Sequence, residues 1–480
     1  MLAGELPHQV RDIHELYGKV VRVAPDELSF TDPTAWKDIY TKGFPRPYQY
    51  RNKPPGKTAE NLISASESDH TRFRKVLNPA FSLKSEHESA IKSSVDLLMV
   101  KLHWALEHDA SGEATVVDLL KWFNLTTFDI IGTLVWSSSF GCLEGMQYHP
   151  WIQVIAQFKT ALIAVATKFY PPLHTVLTLL PPKSAMADLT QISQTTRGKI
   201  SQRLVTGGKR TDMISYMAAT SEASSSPLQA ELKMSRAEIE INSILIVVAG
   251  SESVTTVLTG TINYLLRDQG KLGALTREVR SMFPREADIN GASLIRLPYL
   301  NAILQEGLRL CPTIPDGMRR QVPKGGAVVA GCWLPENTVV SVSQWATYQS
   351  SGNFSSPKAF APERWLEDSK QSSYISDKKE AFQPFSLGPH NCPGRSLAYL
   401  EMRLILARLV WNFNLETPSA MELPRWEKQK IYWFWEKQPT SVSISKAVQT
   451  YPYPALSLIL RLVLVSHVTR PAIQPENSNI

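Results

Sequence analysis

The sequence predicts a mainly α-helical protein with small β-sheets. Helical periodicity dominates from residue 31 to about residue 303, and a last helix is predicted from residue 395 to about residue 413. Short valine-rich runs near the N-terminus, and again between residues 325 and 342, predict the small sheets. Loops are expected at residues 53–67, 170–183 and 220–234. No internal repeat is visible.

The predicted strands fall into two pairs. After a short helix around residues 10–17, residues 20–23 and 28–30 flank Pro25-Asp26-Glu27, a composition typical of turns, and predict a hairpin. Residues 325–331 and 338–342 predict two further strands, joined by a turn at residues 334–337.

The longest predicted helix begins at a capping box. Ser235 is the predicted N-cap and Glu238 the N3 residue, and the helix runs to about Asp268. That is over 30 residues, roughly 50 Å at 1.5 Å per residue. A helix of this length crosses a whole domain, so we expect its centre to lie in the core.

The centre of that helix is unexpectedly polar, because residues 250–256 include Gly250, Glu252 and Ser253. One interpretation is a helix kinked by glycine and serine, with hydroxyls bonded back to the preceding turn. The other is a functional site, since a buried acid beside a hydroxyl is costly unless it is paired or used.

The composition is that of an ordinary globular protein, with 43% hydrophobic and 20% charged residues in a chain of 480. The net charge of +7 would suit an acidic protein partner or an anionic membrane surface. We find no long basic run, no zinc-finger spacing and no basic stripe with interleaved aromatics, which argues against nucleic-acid binding.

The four cysteines, Cys142, Cys311, Cys332 and Cys392, are far apart and form no CxxC pair. This spacing argues against a disulfide scaffold and against a structural zinc site, and it favours a reducing compartment. No signal peptide is visible, and no uncharged apolar run reaches the roughly 18 residues that span a bilayer. We therefore expect no N-terminal membrane anchor in this sequence.

The strongest motif surrounds Cys392 and matches F-x-x-G-x-[RH]-x-C-x-G through Phe385, Gly388, His390 and Gly394. We expect the two glycines to let the backbone turn tightly and approach a flat ligand. Cys392 lies just before a predicted helix, whose N-terminal dipole and free N–H groups stabilise a thiolate. An inert buried cysteine is the alternative, but the match at every fixed position argues against it.

Two further motifs follow the same order as in the cytochrome P-450 family, which residues 10–446 resemble. Glu306 and Arg309 form an E-x-x-R pair on one helix face, and residues 362–365 resemble P-E-R-[FW]. The resemblance implies that Arg364 completes a buried Glu–Arg–Arg network, which locks the cysteine loop. Such a network stabilises the fold only if every member is satisfied.

The resemblance also implies the cytochrome P-450 fold, in which haem lies between the long central helix and the cysteine loop. Cys392 would be the axial ligand of haem b, and a thiolate ligand favours O–O cleavage. Residues 1–446 would form a single catalytic domain without the usual N-terminal anchor. Residues 447–480 would be an atypical C-terminal extension.

Residues 249–253 resemble the family segment A-G-x-[DE]-T. Ala249 and Gly250 would therefore line the haem pocket, Gly250 would leave room for dioxygen, and Glu252 and Ser253 would relay protons. Ser253 replaces the usual threonine and lacks the methyl group that fixes the threonine rotamer, so the coupling of electron use to product formation is in question.

Haem propionates need cations or strong donors. The resemblance assigns these contacts to His70, Arg74, Arg320 and His390, the last at a position where arginine is commoner.

The sequence looks closest to fungal members of secondary metabolism. It implies a monooxygenase that uses dioxygen and NADPH electrons, delivered by NADPH–cytochrome P-450 reductase, with cytochrome b5 as a second candidate donor. The substrate would be a small apolar terpenoid, polyketide or alkaloid intermediate that is hydroxylated or epoxidised. The expected location is the cytosolic face of the endoplasmic reticulum, through peripheral contact, or otherwise the cytoplasm. The alternatives are an isomerase or dehydratase of the same fold and a non-enzymatic haem-binding protein.

Overall fold

The computed structural model describes residues 3–47, 59–109, 113–152, 183–206, 212–222, 232–367, 373–419 and 421–447. Residues 169–182, and the predicted C-terminal extension after Ala447, lie outside these ranges. The helices are α1 (Leu6–Tyr17), α2 (Thr34–Trp36), α3 (Glu67–Phe81), α4 (Ser85–Glu107), α5 (Leu119–Trp136), α6 (Cys142–Gly145), α7 (Lys183–Thr206), α8 (Met213–Glu222), α9 (Arg236–Arg267), α10 (Gln269–Met282), α11 (Gly291–Leu294), α12 (Pro298–Leu310), α13 (Gln344–Gln349) and α14 (Arg395–Asn412).

Within the described ranges, the strands are short and form four small sheets. They are β1 (Val20–Ala24), β2 (Glu27–Phe30), β3 (Ala114–Asp118), β4 (Arg320–Gln321), β5 (Ala327–Val329), β6 (Cys332–Leu334), β7 (Val339–Val342), β8 (Phe413–Glu416), β9 (Ile431–Tyr432), β10 (Phe434–Trp435) and β11 (Ser441–Lys446). The sheet orders are β1-β2-β7-β4, β3-β11-β8, β5-β6 and β9-β10.

Helix α9 forms the centre of the molecule, and its predicted start is confirmed. The Ser235 hydroxyl accepts a hydrogen bond from the Glu238 N–H, and the Glu238 carboxylate accepts one from the Ser235 N–H. The helix packs along α5, where the hydroxyls of Thr127 and Thr255 lie 2.9 Å apart. It is also long and apolar enough to span a membrane, but 67% of its most apolar stretch is buried inside the fold.

The N-terminal hairpin is confirmed, since β1 and β2 pair antiparallel. The second predicted pairing is wrong. Strand β5 turns back at Ala330 and Gly331, with φ of 48° and 79°, and pairs with β6. Two consecutive positive φ angles make the tight turn that closes a two-residue hairpin, so the chain reverses before residues 334–337. Strand β7 is buried throughout and pairs with β2 and β4 instead.

Helix α14 connects the core to the cysteine loop. Most of its residues are buried against α4, α9, α10, α11 and α12. It begins directly after a 3₁₀ turn, Gly388–His390, and the residues Asn391 to Gly394. The loop is therefore carried on one of the most deeply embedded helices of the described fold.

Candidate functional site

The loop that holds Cys392 is closed by a backbone hydrogen bond, in which the Cys392 N–H donates to the Phe385 carbonyl over 2.9 Å. Burial raises the pKa of the Cys392 thiol, while the Gly394 N–H and the charges of Arg74 and Arg395 act to lower it. The N–H at the start of α14 thus lowers the pKa of the thiol, as the sequence predicts. In the free thiol, burial raises the pKa by more. A metal ion would reverse this balance, because a coordinating thiol is deprotonated outright.

Gly388 has a φ of +71°, and a Cβ atom at this position would overlap the carbonyl oxygen of Tyr40. The glycine is therefore required by the contact between the cysteine loop and the π-helical turn Lys37–Thr41. The tight turn expected at Gly388 is thus present, and the approach of the loop to a flat ligand stays a prediction. Gly394 is less restricted, since a Cβ there would lie 3.8 Å from Phe81 and 3.9 Å from the Cys392 sulfur.

Two histidines that the sequence assigned to propionate binding lie side by side. The ring centres of His70 and His390 are 3.9 Å apart. Burial, together with the charges of neighbouring arginines, lowers the pKa of His70 to about 3 and that of His390 to about 2. Both imidazoles are therefore neutral near pH 7 with one N–H each, and that of His390 points to the Glu67 carboxylate, which lies 3.0 Å from its Nε2.

The arginines that depress these two pKa values are Arg46, Arg74 and Arg320. Arg320 is buried, with 2% of its surface exposed. Its guanidinium carbon lies 5.4 Å from the ring centre of Tyr40. Arg74 donates to the backbone and side-chain oxygens of Asn391, at 2.7 and 2.8 Å, which places it beside the cysteine.

Arg46 belongs to this cluster but was not identified from the sequence. It is 5% exposed and donates to the carbonyls of Leu62 and Ile63, at 2.7 and 2.6 Å. No motif marks it in the segment Phe44-Pro45-Arg46-Pro47, and only the folded chain brings it to His70. We call Arg46, Arg74, Arg320, His70 and His390 the cationic cluster.

The Glu306 network is assembled as the resemblance implied. Glu306, Arg309 and Arg364 are all fully buried. The Glu306 carboxylate accepts hydrogen bonds from Arg309 at 2.6 and 2.9 Å and from Arg364 at 3.1 Å. Burial acts to raise the pKa of Glu306, but the two arginines outweigh it and hold the pKa below its ordinary value. Two members were missed from sequence, since Trp365 donates to Glu306 and Asp377 pairs with Arg364.

The polar centre of α9 differs from expectation at Gly250. A Cβ atom at Gly250 would lie 2.6 Å from the Cδ1 atom of Ile131, so the space that the glycine leaves is filled by α5. Gly250 therefore lets α5 pack closely against α9, and its assignment to the dioxygen pocket stays a prediction. The Ser253 hydroxyl donates to the Ala249 carbonyl over 2.7 Å, as in a back-bonded helix.

Glu252 is buried and forms an ion pair with Lys437, a residue not singled out in the sequence. Lys437 lies in the loop between β10 and β11, 185 residues after Glu252. The Lys437 Nζ also lies 3.3 Å from the Thr256 Oγ1. The acid at the centre of α9 is therefore paired rather than stranded, which removes most of the cost of burying it.

The described residues fit a haem group. Cys392 is exposed, although the surrounding protein is close enough to raise the pKa of its thiol, so a ligand can reach its sulfur. Beside it, the buried Nδ1 of His390 has no hydrogen-bond partner within the described residues. The two propionates of haem would match the positive charge of the cationic cluster. The single sulfur of Cys392 would match the one iron atom. Cys392 could hold the iron while the cationic cluster holds the propionates.

The chain belongs to the cytochrome P450 family, whose sequence model matches residues 2–443. It is 38% identical over 445 residues to the cytochrome P450 monooxygenase efuB of Hormonema carpetanum, covering 91% of this chain and 85% of that protein. It is 38% identical to averantin hydroxylase of Aspergillus parasiticus, covering 92% and 88%.

The fold is shared with solved structures of the same family. The crystal structure of the cytochrome P450DA heme domain superimposes with a TM-score of 0.74 over 92% of this chain and 93% of that one, at 18% identity. The predicted family and fold class are thus confirmed. Membership implies haem, dioxygen and electrons from a redox partner.

Proposed function

We propose that this protein is a haem-thiolate monooxygenase that hydroxylates or epoxidises an apolar secondary-metabolite intermediate. The observation that carries the proposal is the position of Cys392 next to the cationic cluster, in a fold of the cytochrome P450 family. Haem b, ligated by Cys392, would supply the activation of dioxygen. The electrons would come from NADPH through a separate flavoprotein reductase, with cytochrome b5 as a second donor.

The relatives support the reaction class. Those reported above are named a monooxygenase and a hydroxylase, and the second is named for averantin. The substrate class proposed for this chain is a terpenoid, polyketide or alkaloid. A comparison of metabolites from a producing strain with and without this gene would identify the compound that accumulates when the enzyme is lost.

For the chain's own residues, we propose that Glu252 and Ser253 relay protons on the α9 side of the site. The Ser253 hydroxyl directs its hydrogen to Ala249, so the lone pairs of its oxygen remain able to accept a hydrogen bond from water. A paired carboxylate one residue away gives a second oxygen in the same helical turn. A positioned proton donor is typically worth 10²–10⁴-fold in rate.

We further propose that the protein works at the cytosolic face of the endoplasmic reticulum through peripheral contact. The β5–β6 hairpin exposes Val328 and Trp333, which are 49% and 65% exposed. Helix α1 exposes Leu16 and Tyr17 at its last turn. Tryptophan and tyrosine are enriched where a membrane meets water, because one part of each ring is apolar and another is polar.

The test of the haem-thiolate assignment is the Cys392→Ser variant, with Cys332→Ser as its matched control. Cys332 is exposed and lies on strand β6 of the β5–β6 hairpin. Reduced protein with carbon monoxide should show the red-shifted Soret band of thiolate-ligated haem in wild type and Cys332→Ser, and not in Cys392→Ser. If Cys392→Ser keeps that band, the assignment is wrong.

A reconstitution with a reductase separates the activity from its alternatives. A monooxygenase consumes NADPH only when the reductase is present, and substrate stimulates that consumption. A peroxide isomerase or a haem-binding sensor of the same fold would show no reductase-dependent NADPH consumption linked to product, and that result would reject the proposed activity.

A further inference from the structure

The ion pair between Glu252 and Lys437 is the starting observation. Both side chains are almost withdrawn from solvent, at 11% and 7% exposure. Thr256, one turn after Glu252 on α9, also contacts the Lys437 Nζ. A buried pair of this kind is held by its own hydrogen bonds, because each member alone would be a costly buried charge.

The loop that carries Lys437 is fixed on both sides. Before it, the Trp435 indole N–H donates to the Pro312 carbonyl over 2.8 Å. After it, the Gln438 N–H donates to Gln429 at 2.7 Å, and the Thr440 N–H donates to Asp118 at 3.0 Å. The backbone on both sides of Lys437 is therefore held in place, and the Lys437 side chain is held by Glu252 and Thr256.

The same loop reaches the surface. Glu436 and Gln438, the neighbours of Lys437 in the chain, are exposed, whereas Glu252 is buried. The backbone around Lys437 thus lies at the surface, while its side chain, 7% exposed, extends inward to the acid at the centre of α9. Of the two paired groups, only the ammonium carries protons, since an ionised carboxylate is an acceptor alone.

We propose that Lys437 is the proton-carrying partner that recharges Glu252. The Nζ–H bond breaks, its electron pair stays on nitrogen, and an O–H bond forms on Glu252 Oε1, which leaves a neutral amine and a neutral acid. The amine then takes a proton from surface water. This inference rests on the proposed proton route through Glu252. Because Lys437 acts through Glu252, it is a positioning residue for the reaction.

The Lys437→Arg variant separates a proton carrier from a structural ion pair. Arginine keeps the positive charge and the pairing, but its guanidinium is not deprotonated in proteins. Lys437→Met removes both the charge and the proton, at similar side-chain length. Glu252→Gln removes the acid itself, and it tests the proposed route independently.

The first measurement is product formed per NADPH oxidised by the reductase-reconstituted holoenzyme, with hydrogen peroxide counted alongside. We expect both Lys437→Arg and Lys437→Met to lower this ratio by at least about tenfold. This is a smaller factor than the 10²–10⁴-fold that positioned proton transfer contributes to a reaction rate. Haem content and the carbon monoxide spectrum are checked first. If Lys437→Met fails to bind haem, the comparison of Lys437→Arg with wild type decides alone.

The second measurement needs no turnover. Infrared spectra of the resting holoenzyme should show a protonated-carboxyl band in Lys437→Met, because an unpaired buried carboxylate takes up a proton. Measured as a difference from wild type, so that the band of the protonated, buried Glu401 cancels, this band should be absent from Lys437→Arg and from the double variant Lys437→Met/Glu252→Gln. Its absence from Lys437→Met would overturn the claim that Lys437 keeps Glu252 ionised.

The remaining outcomes separate the role of Lys437 from the proposed proton route through Glu252. Wild-type coupling in Lys437→Arg would make Lys437 a structural partner and overturn the inference, even if Glu252→Gln is uncoupled. Wild-type coupling in Glu252→Gln would remove the proposed proton route itself, whatever the Lys437 variants show.

Discussion

Ser253 is a half-buried hydroxyl on α9, hydrogen-bonded to Ala249. We predict that Ser253→Ala still binds haem and consumes NADPH but diverts electrons to hydrogen peroxide, because an acceptor for water is lost beside Glu252. Ser253→Thr should leave coupling unchanged or improve it, since the added methyl group fixes the rotamer. The measurement is product per NADPH together with peroxide. Unchanged coupling in Ser253→Ala would reduce this serine to helix packing.

Site residues could be predicted from sequence where they lie in short motifs. Glu306 and Arg309 share one helix face because they are three residues apart, and Cys392 is marked by its fixed neighbours. Arg46 and Lys437 could not be predicted, because each reaches its partners only through the fold. Lys437 is 185 residues from Glu252, and nothing in its local sequence encodes that contact.

At the scale of single elements, α14 carries an acid that neither the motif nor the network explains. Glu401 is buried, and its Oε1 has no hydrogen-bond partner in the described part of the chain. Burial raises the pKa of Glu401 well above its ordinary value of 4.5, so the folded protein holds a proton there that the unfolded chain releases. This acid therefore destabilises the fold increasingly as pH rises above 4.5.

We predict that Glu401→Gln, which keeps the shape without the titration, becomes more stable relative to wild type as pH increases. The difference in free energy of unfolding should grow by up to about 1.4 kcal/mol per pH unit above the ordinary carboxyl pKa. Denaturant unfolding of both proteins at about pH 5 and about pH 8 measures it. Parallel behaviour of the two proteins at both pH values would show that Glu401 is not protonated in the fold.

Elements with a local start signal were predicted well. The capping box placed the first turn of α9 correctly, and Pro25-Asp26-Glu27 placed the first hairpin. The second pairing failed because valine-rich periodicity does not say which strand is the partner. The turn was decided by the positive φ angles at Ala330 and Gly331, and an alanine gives no warning of that conformation.

At the scale of the whole molecule, the Glu306 network ties α12 to the segment before the cysteine loop. Glu306 accepts from Arg309 of its own helix, and from Arg364 and the Ala361 N–H, so one side chain joins α12 to residues 361–364. Removing it leaves the buried Arg309 without a carboxylate and Arg364 with Asp377 alone, which costs roughly 3–5 kcal/mol. We predict that Glu306→Ala is insoluble or free of haem.

Glu363→Ala is the matched control. The Glu363 carboxylate accepts a hydrogen bond from the Tyr299 hydroxyl, and losing that hydrogen bond costs about 0.5–1.5 kcal/mol of stability. Haem content and denaturant midpoints measure both variants. The pKa of Glu306 is lowered by its arginines, so its contribution is present above the ordinary carboxyl pKa and is lost as pH falls through the lowered value. Well-folded, haem-loaded Glu306→Ala protein would refute the buried-network claim.

The pairing of β2 with β7 has a consequence for how the protein is made. Strand β2 ends at Phe30, but its parallel partner begins only at Val339. At about 5–20 residues per second, the ribosome needs on the order of tens of seconds to reach that partner. Likewise, β3 and β8 stay unjoined until Ser441–Lys446 has been synthesised. A nascent chain that stalls just before residue 441 already carries the whole cysteine motif, yet it lacks the strand that joins β3 to β8, so this sheet forms only at the end of synthesis.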